Sequence, residues 1–376
     1  METNNKLELK IQELLNRAGI SINGTQEYDI QVHNPDLYKR ILGGGTMALG
    51  EAFMDGWWTC ERLDLFFTKV LDAELANSVT TLKDKAFFVK AHLQNRQTHK
   101  RAQAVAKRHY DIGNDMYEAM LDQRMTYTCG YWQDAQNLDE AQEHKLELVC
   151  RKLKLEPGMK VLDIGCGWGG AARYMAEKYD VHVTGVSISE EQIKLAKQSA
   201  NGLSVDYQLC DYRDHKGEYD RIYSLGMFEH VGFKNYQTFF DKAHDCLKDK
   251  GLFLLHTIGH RRTLNKVDPW IEHYIFPNSI LPSSELIAKH SAPAFNLEDW
   301  HNFGHDYYRT LMAWQSNLDQ KWDTLPHYDD RFKRMWNYYL MACAGTFNAS
   351  RNHLWQIVFS KGVIDTPYQA VRSAID

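Results

Sequence analysis

The sequence predicts an α/β fold in which helices cover a parallel sheet, preceded by a small, mainly helical N-terminal domain. From about residue 105 onward, strand-like and helix-like patterns alternate, as they do in a parallel sheet with crossover helices. Residues 161–170 begin as a buried strand and continue through closely spaced glycines into a helix. A chain of 376 residues is long for one domain and favours two.

The N-terminal domain is predicted over residues 1–90. Apolar residues repeat at helical spacing through residues 7–18, which predicts a first helix. Residues 20–22 and 29–32 flank a loop that begins with Asn-Gly, and we expect them to pair as a short hairpin. Residues 34–75 combine a helical pattern with many aromatic side chains, which is typical of a core.

A basic linker over residues 91–108 is predicted to join this domain to a catalytic domain over residues 109–376. The run from Lys85 to Arg108 contains seven Lys and Arg residues and no Asp or Glu. Two interpretations remain open. The run is either a solvated linker helix or a segment attracted to anionic lipid headgroups, at about 1 kcal/mol per basic residue near the surface.

The second domain has clear strand and helix signals in alternation. A capping box is predicted at residues 189–192, and the apolar, proline-rich residues 260–295 form an insertion. Helices are expected from the glycines to about residue 179, over about 305–320 and over about 328–350. The predicted strands begin at residue 161 and cover residues 181–186, 205–209, 221–225, 251–257 and 354–359.

Composition restricts the class of protein. A formal net charge of −5 gives no sign of nucleic-acid binding. The seven cysteines show no CxxC pair, which favours reduced thiols in a cytoplasmic protein over a zinc site or a disulfide framework. The N-terminus lacks the apolar core of a signal peptide, and no run of 18 apolar residues occurs. We therefore expect a cytoplasmic protein without a membrane span that can still touch a membrane surface.

The glycines at 165, 167 and 170 match the G-x-G-x-x-G pattern of nucleotide-binding turns. A dinucleotide site requires an acidic residue at the end of the next strand, but here that strand ends in Ser187-Ile188-Ser189. The acidic residue, Asp163, lies inside the first motif instead. This arrangement resembles the first motif of class I S-adenosylmethionine-dependent methyltransferases. A strand-helix turn that packs tightly and binds no ligand is the alternative.

Polar residues stand where successive strands end. Asp163, Ser187 and Asp211 follow the first three strands, at the edge where an α/β sheet binds its ligands. Glu229 follows the fourth strand and His256 closes the fifth, so we expect a carboxylate and an imidazole to face one cleft. A single His or Glu in such a place is usually a structural partner, but two beside a cofactor motif favour a site.

Several further blocks carry a more specific resemblance over essentially the whole chain. With the glycine motif, they resemble the cyclopropane-fatty-acid synthases. The N-terminal domain makes the chain similar to the bacterial type that modifies phospholipids, since the mycolic-acid enzymes lack that domain. Thr128 replaces the commoner serine and keeps its hydroxyl. The blocks are Tyr127-Thr128-Cys129, Gly226-Met227-Phe228-Glu229-His230, His256-Thr257-Ile258-Gly259 and residues 109–115, 276–278 and 281–283.

The resemblance implies a class I methyltransferase fold, which is a Rossmann-like sheet of seven strands. It implies transfer of a methylene from S-adenosylmethionine to the cis double bond of an unsaturated phospholipid acyl chain, with bound bicarbonate as the general base. The reaction passes through a cation on the acyl chain, which an apolar, aromatic pocket would shield from water. The resemblance also implies a homodimer, and we expect it to associate peripherally with the inner face of the membrane.

Matching residue by residue to the family assigns the site. The bicarbonate would be held by Cys129, Glu229, His256, Ile258 and Tyr307, with Cys129 and Ile258 using backbone groups. Asp211 joins the cofactor site through its position at a strand end. The other residues implied to hold S-adenosylmethionine are Tyr127, Thr128, Asp163, Gly165, Gly167, Ser187, Ser189, Gln192 and Tyr212.

Cys343 is a further position that the family shares, and a catalytic role as a nucleophile is conceivable. A thiolate near a carbocation would trap it, so we expect this cysteine to be a core residue. Two other functions remain as alternatives. One is methyl transfer to a lipid or an amine without ring closure. The other is a lipid-binding or scaffold protein without activity, against which the intact Asp163 motif argues.

Overall fold

The computed structural model describes residues 2–75, 113–264 and 267–375. Contacts divide the chain into two compact units. Unit 1 comprises Met1–Gln94, Asn265–Pro277 and Leu311–Asn352, and unit 2 comprises Asn95–Leu264, Asn278–Thr310 and His353–Asp376. The predicted linker over residues 91–108 lies outside the described residues, so the predicted domain division stays a prediction.

The helices found in the described ranges agree with the predicted pattern wherever a helix was expected. The glycine motif leads into a helix that ends at Tyr179, as predicted. The helices are α1 (Glu2–Asn16), α2 (Leu37–Met54), α3 (Leu63–Asp72), α4 (Asn114–Met120), α5 (Leu138–Lys152), α6 (Gly170–Tyr179), α7 (Glu190–Gln198), α8 (Tyr236–Cys246), α9 (Pro269–Tyr274), α10 (Ser284–Ser291), α11 (Gly304–Lys321) and α12 (Asp330–Asn348).

The strands form one large sheet and one small one. The small sheet pairs β1 with β2, and the other seven strands form the large sheet. The strands are β1 (Gln31–Val32), β2 (Trp58–Thr59), β3 (Lys160–Ile164), β4 (His182–Ser187), β5 (Val205–Leu209), β6 (Tyr219–Leu225), β7 (Leu247–His260), β8 (Asn296–Asn302) and β9 (Asn352–Ser360).

In unit 1, aromatic side chains on α12 pack against α2, α3 and α9. The ring of Tyr338 lies 5.5 Å from that of Phe53, 5.2 Å from Phe67 and 4.5 Å from Trp270, centroid to centroid. Phe53 and Tyr338 are both buried. The aromatic residues of the N-terminal segment therefore form a core, as predicted, with helices from much later in the chain.

The predicted hairpin near the N-terminus is wrong. Residues 20–22 and 29–32 share one isolated bridge, between Ile22 and Ile30, and β1 pairs with β2 instead. The buried carboxylate of Asp29 accepts hydrogen bonds from the backbone nitrogens of Ser21, at 2.7 Å, and Gln26, at 2.9 Å. These backbone groups are therefore bound to a side chain and do not form a ladder with a neighbouring strand.

The large sheet has the strand order β5-β4-β3-β6-β7-β9-β8. Neighbouring strands from β5 to β7 are parallel, as predicted, whereas β8 and β9 are antiparallel, so the sheet is mixed. The chain leaves β3 toward one edge and returns to the other side of it as β6. The crevice beyond the carboxyl ends of β3 and β6 is thus the topological switch point, where such sheets bind ligands.

Helices cover both faces of this sheet. Because successive side chains of a strand point to opposite faces, Val161 packs into one core and Leu162 into the other. The first core includes residues of α5, α6 and α7, and the second includes residues of α8 and α10. This helix-sheet-helix sandwich fixes the ends of β3 and β6 rigidly. No helix within the described ranges is long and apolar enough to cross a membrane.

Candidate active site at the switch point

The glycine motif forms an open turn at the end of β3. Gly165 has φ 93° and Gly167 has φ 51°, both in the region that favours glycine. A Cβ atom on Gly165 would lie 2.7 Å from the side chain of Met227, just after β6. A Cβ on Gly167 would approach none of the described residues closer than the Gln192 amide, at 4.0 Å. The space over Gly167 is therefore open to a ligand.

Asp163 ties β3 to β6 at this point. Its buried carboxylate accepts a hydrogen bond of 2.8 Å from the hydroxyl of Tyr223 on β6. Burial raises the pKa of the Asp163 carboxyl to about 7, and the bond from Tyr223 acts in the opposite direction. This carboxylate is thus fixed in orientation directly before the glycine turn.

Ser187, Ser189 and Gln192 lie together beside Gly167. The Ser189 hydroxyl accepts a bond of 3.3 Å from the Gln192 backbone and caps α7. In a complete capping box, the Gln192 side chain would accept a hydrogen bond from the Ser189 backbone nitrogen. Here Gln192 Oε1 accepts a bond of 3.1 Å from the Ser187 hydroxyl instead. That bond holds the Gln192 amide nitrogen toward the open space over Gly167.

Asp211 and Tyr212 follow β5. The Asp211 carboxylate is paired with the Arg213 guanidinium, at 2.8 and 2.5 Å. The Tyr212 ring packs edge-on to Phe239, with 5.5 Å between centroids. Asp211 is therefore committed to an ion pair, and the Arg213 guanidinium of that pair lies over the Tyr212 ring, 5.7 Å from its centroid.

The Tyr127-Thr128-Cys129 segment is held by α5. The Thr128 hydroxyl accepts a bond of 2.7 Å from Lys145 Nζ, and its carbonyl accepts one of 2.7 Å from the Gln142 amide. A Cβ on Gly226 would lie 2.6 Å from Thr128 Cγ2, so this segment touches the end of β6. Burial lowers the pKa of Lys145 to about 8. Sequence reasoning missed Gln142 and Lys145, since nothing in the polar pattern of α5 marks them as buried.

Glu229 lies in a short 3-10 turn after β6 and is almost fully buried. Its Oε1 atom accepts a short bond of 2.6 Å from the backbone nitrogen of Ile258. Its Oε2 atom is buried and has no hydrogen-bond partner among the described residues. Burial raises the pKa of this carboxyl to about 7, against the hydrogen bond from the Ile258 backbone.

His256 lies on β7, two residues before Ile258, and is 1% exposed. Its Nδ1 atom lies 3.3 Å from the amide nitrogen of Gln356 on β9, while Nε2 is buried without a partner in the described part of the chain. Burial, together with the charges of Lys145 and Lys152, holds the pKa of His256 well below its usual value. The imidazole is therefore neutral at physiological pH.

Backbone hydrogen bonds tie together the segments that carry Glu229 and His256. The backbone nitrogen of Gly226 donates to the His256 carbonyl at 2.9 Å, and Ile258 donates to Glu229. One buried carboxylate oxygen and one buried ring nitrogen remain unpaired there among the described groups. Such a pair suits a small polar ligand that both donates and accepts hydrogen bonds.

The remaining predicted residues have separate surroundings. Cys129 is fully buried, and burial raises the pKa of its thiol well above the usual value. Tyr307 is buried on α11 in unit 2. Cys343 lies on α12 in unit 1, where burial raises the pKa of its thiol to about 12. A thiol with that pKa is not a nucleophile at neutral pH.

Comparisons with known proteins show the family of this chain. Residues 96–357 match the family model described as mycolic acid cyclopropane synthetase. The cyclopropane-fatty-acyl-phospholipid synthase of Escherichia coli K12 is 56% identical over 353 residues, which are 93% of this chain and 92% of that protein. A probable fatty acid methyltransferase of Pseudomonas putida is 34% identical, over 89% of this chain and 88% of its own.

Solved structures show the same fold. The cyclopropane synthase MmaA2 of Mycobacterium tuberculosis matches 71% of this chain and all of its own, with 29% identity and a TM-score of 0.66. The mycolic acid cyclopropane synthase CmaA1, solved with SAH and CTAB, matches 70% of this chain and 99% of its own, with 31% identity and a TM-score of 0.64. This chain therefore belongs to the mycolic acid cyclopropane synthetase family and has the class I methyltransferase fold.

Proposed function

We propose that this chain is an S-adenosylmethionine-dependent cyclopropane-fatty-acyl-phospholipid synthase. It adds a methylene across the cis double bond of an unsaturated acyl chain in a phospholipid. The activity named for the Escherichia coli relative supports this substrate. The observation that carries the proposal is the buried pair of unpaired atoms, Glu229 Oε2 and His256 Nε2, at the switch point that also holds the glycine turn.

The residues around Gly167 fit S-adenosylmethionine, which when bound supplies an electrophilic methyl group. The open space over Gly167 leaves room for backbone to approach the cofactor closely. The amide of Gln192, fixed by Ser187, offers donors on the same side. Thr128 receives a bond from Lys145, so its own hydroxyl proton is free to point to a ligand acceptor. Tyr212 adds an aromatic face.

Glu229 and His256 fit a bound bicarbonate, which when bound supplies a weak general base. In this proposal, Glu229 Oε2 accepts the proton that bicarbonate carries, which increases the basicity of the opposite oxygen. The Nε2 atom of His256 stands ready to donate a hydrogen bond, and Tyr307 is assigned a second donor. A neutral histidine suits this role because it holds an anion without competing for the proton.

The proposal gives Ile258 a second role. Its backbone nitrogen donates to Glu229 Oε1, and its carbonyl accepts a bond of 3.0 Å from the Thr257 hydroxyl. The nitrogen is therefore engaged within the protein, whereas the carbonyl oxygen keeps a second lone pair. In the proposal, Ile258 fixes the Glu229 carboxylate through Oε1, and its carbonyl oxygen contributes the backbone group that faces bicarbonate.

Burial of this site also protects the reaction. A cation on the acyl chain is destroyed by water and by nucleophiles, so the groups around it must be dry and weakly nucleophilic. Glu229 and His256 are almost fully buried, and Cys129 is held as a thiol by burial. The chain thus provides a base and hydrogen-bond donors without a nucleophile able to trap the cation.

The product identifies the reaction. Cyclopropane formation and methyl branching with a retained double bond give products of equal mass, so proton NMR of the lipid extracted after turnover is needed. We expect ring methylene signals from vesicles of unsaturated phospholipid incubated with S-adenosylmethionine. Methyl-branched alkenes would favour the alternative of methyl transfer without ring closure, the class to which the Pseudomonas putida relative's name refers. No product at all would contradict both.

We further propose that the enzyme acts as a homodimer at the inner membrane surface. The substrate double bond lies deep in the bilayer, and lifting the chain out exposes apolar surface at about 0.8 kcal/mol per CH₂ unless protein covers it. The basic run from Lys85 to Arg108 supplies attraction to anionic headgroups. Two such sites held in a dimer bind by avidity, which keeps the enzyme in place during catalysis.

A further inference from the structure

Gln356 is buried beside His256, and no part of the proposed chemistry uses it. It lies on β9, opposite His301 of β8, and its side chain is fully buried. Its amide nitrogen is 3.3 Å from His256 Nδ1, and its Oε1 atom has no partner in the described part of the chain. Burying an amide whose oxygen has no hydrogen-bond partner lowers the free energy of unfolding, so such a residue is expected to have another role.

The contact decides which nitrogen of His256 carries the proton. With its nitrogen toward the ring, the Gln356 amide can only donate, so Nδ1 accepts and is unprotonated in this arrangement. The single proton of a neutral imidazole is then on Nε2, which is buried and unpaired among the described groups. The ring therefore directs an N–H donor, and not a lone pair, away from Gln356.

The surroundings of His256 favour a neutral ring and an anionic neighbour. Lys145 and Lys152 on α5 are both fully buried, and their charges oppose a second proton on His256. Lys145 donates to Thr128, and Lys152 lies 3.0 Å from His301 Nδ1, so both ammonium groups are fixed. The Phe303 ring packs edge-on, 6.0 Å from the imidazole.

We infer that Gln356 is a positioning residue, which fixes His256 as the Nε2–H tautomer so that the ring donates a hydrogen bond to the bound anion. Without this amide, Nδ1 would take the proton from time to time and present a lone pair to the anion. The inference rests on the proposed function for the identity of the anion. The tautomer itself follows from the contact and is testable without any substrate.

The direct test is the ¹⁵N spectrum of histidine in the full-length protein, with His256 assigned by its loss in His256→Gln. We expect an unprotonated Nδ1 in the wild type. In Gln356→Glu, the carboxylate accepts a proton from the ring, so Nδ1 becomes protonated. Gln142→Glu is the matched control, since Gln142 is equally buried but bonds to the Thr128 carbonyl, and it should leave Nδ1 of His256 unprotonated. A protonated Nδ1 in the wild type would overturn the inference.

The functional test uses Gln356→Met, which keeps the volume and removes the donor. In carbonate-depleted buffer with added bicarbonate, its KM for bicarbonate should rise roughly 3- to 10-fold, because the bias that Gln356 places on the tautomer is limited to the worth of one neutral hydrogen bond. The KM for S-adenosylmethionine should change less than about 2-fold, within the scatter expected for distant sites. Equal changes in both constants would indicate a merely structural Gln356. If the wild-type rate does not depend on bicarbonate, the role of bicarbonate in the proposed function is wrong. The tautomer of His256 is then still decided by the ¹⁵N spectrum.

Discussion

At the scale of single residues, the site consists of groups whose ionisation is set by burial. Glu229 is the clearest case, because burial raises the pKa of its carboxyl from 4.5 to about 7. In the pH range between these two pKa values, the Glu229 carboxyl is protonated in the folded protein and ionised in the unfolded chain. The stabilising contribution of Glu229 is therefore fully present below about pH 4.5 and is lost as the pH rises through about 7.

This pH dependence of stability can be tested with Glu229→Gln, because a glutamine side chain cannot titrate. The free energy of unfolding of the variant relative to wild type should increase by about 3 kcal/mol between pH 5 and pH 8. Urea titrations at several pH values measure it. Asp163 and His256 are present in both proteins, so their titrations cancel in the difference. Parallel stability curves for the two proteins would show that Glu229 is not buried with a raised pKa.

Gly167 tests the cofactor site. Its φ of 51° makes Gly167→Ala cost about 1 kcal/mol in backbone strain, and the new methyl group enters the space assigned to S-adenosylmethionine. We expect at least a 10-fold loss in affinity for S-adenosylhomocysteine by calorimetry, in a folded protein. Gly202→Ala is the control, since Gly202 has φ 77° and open space around it. If both variants bind the ligand as the wild type does, the cofactor does not lie over Gly167.

Sequence reasoning found the residues at strand ends but missed those that hold them. Asp163, Ser187, Glu229 and His256 follow from the strand pattern, because the ends of parallel strands share one edge of a sheet. Lys145 and Gln356 do not, since a polar residue buried against a partner far along the chain looks like any other polar residue. Their burial depends on tertiary packing, which periodicity reports only for apolar residues.

At the scale of helices and strands, apolar runs were predictable and polar elements were not. Strand β9, with Leu354, Ile357 and Val358 in its core, was visible in the sequence. Its antiparallel neighbour β8, Asn-Leu-Glu-Asp-Trp-His-Asn, was not, because an edge strand needs few apolar residues. The hairpin predicted at residues 20–32 does not form, because the Asp29 carboxylate accepts the backbone hydrogen bonds that strand pairing would use. A polar contact of this kind leaves no apolar pattern in the sequence.

The packing of α12 on α3 gives a prediction at this scale. Alanine is normally about 1 kcal/mol better than glycine within a helix. At Gly345, however, a Cβ would lie 2.5 Å from Phe67 Cβ, and overpacking of this kind typically costs about 1 to 3 kcal/mol. Gly345→Ala should therefore lower the free energy of unfolding, measured in urea. Gly43→Ala, at an exposed position of α2 with open space around the new methyl, should raise it. An increase for both would contradict the described packing.

At the scale of the whole molecule, the fold places a buried site in a protein whose substrate lies in a bilayer. Surface attraction is then needed, and the basic run is the part of the sequence that offers it. The double variant Lys100→Glu, Arg101→Glu should bind anionic vesicles more weakly than the wild type. The difference should be largest at low salt, because at high salt screening weakens the attraction of the wild type as well. Vesicle sedimentation at several salt concentrations measures it. Unchanged binding would leave the solvated-linker interpretation.

The most direct measurement compares wild type and Glu229→Gln in turnover of unsaturated phospholipid vesicles, with and without bicarbonate. The wild-type rate should rise with bicarbonate and with pH through about 7, as Glu229 loses its proton, and ring methylene protons should appear in the product. The variant should keep its affinity for S-adenosylhomocysteine while turnover falls about 100-fold, the usual contribution of a positioned acid or base. A variant that turns over at the wild-type rate would contradict the assignment of Glu229 to the reaction.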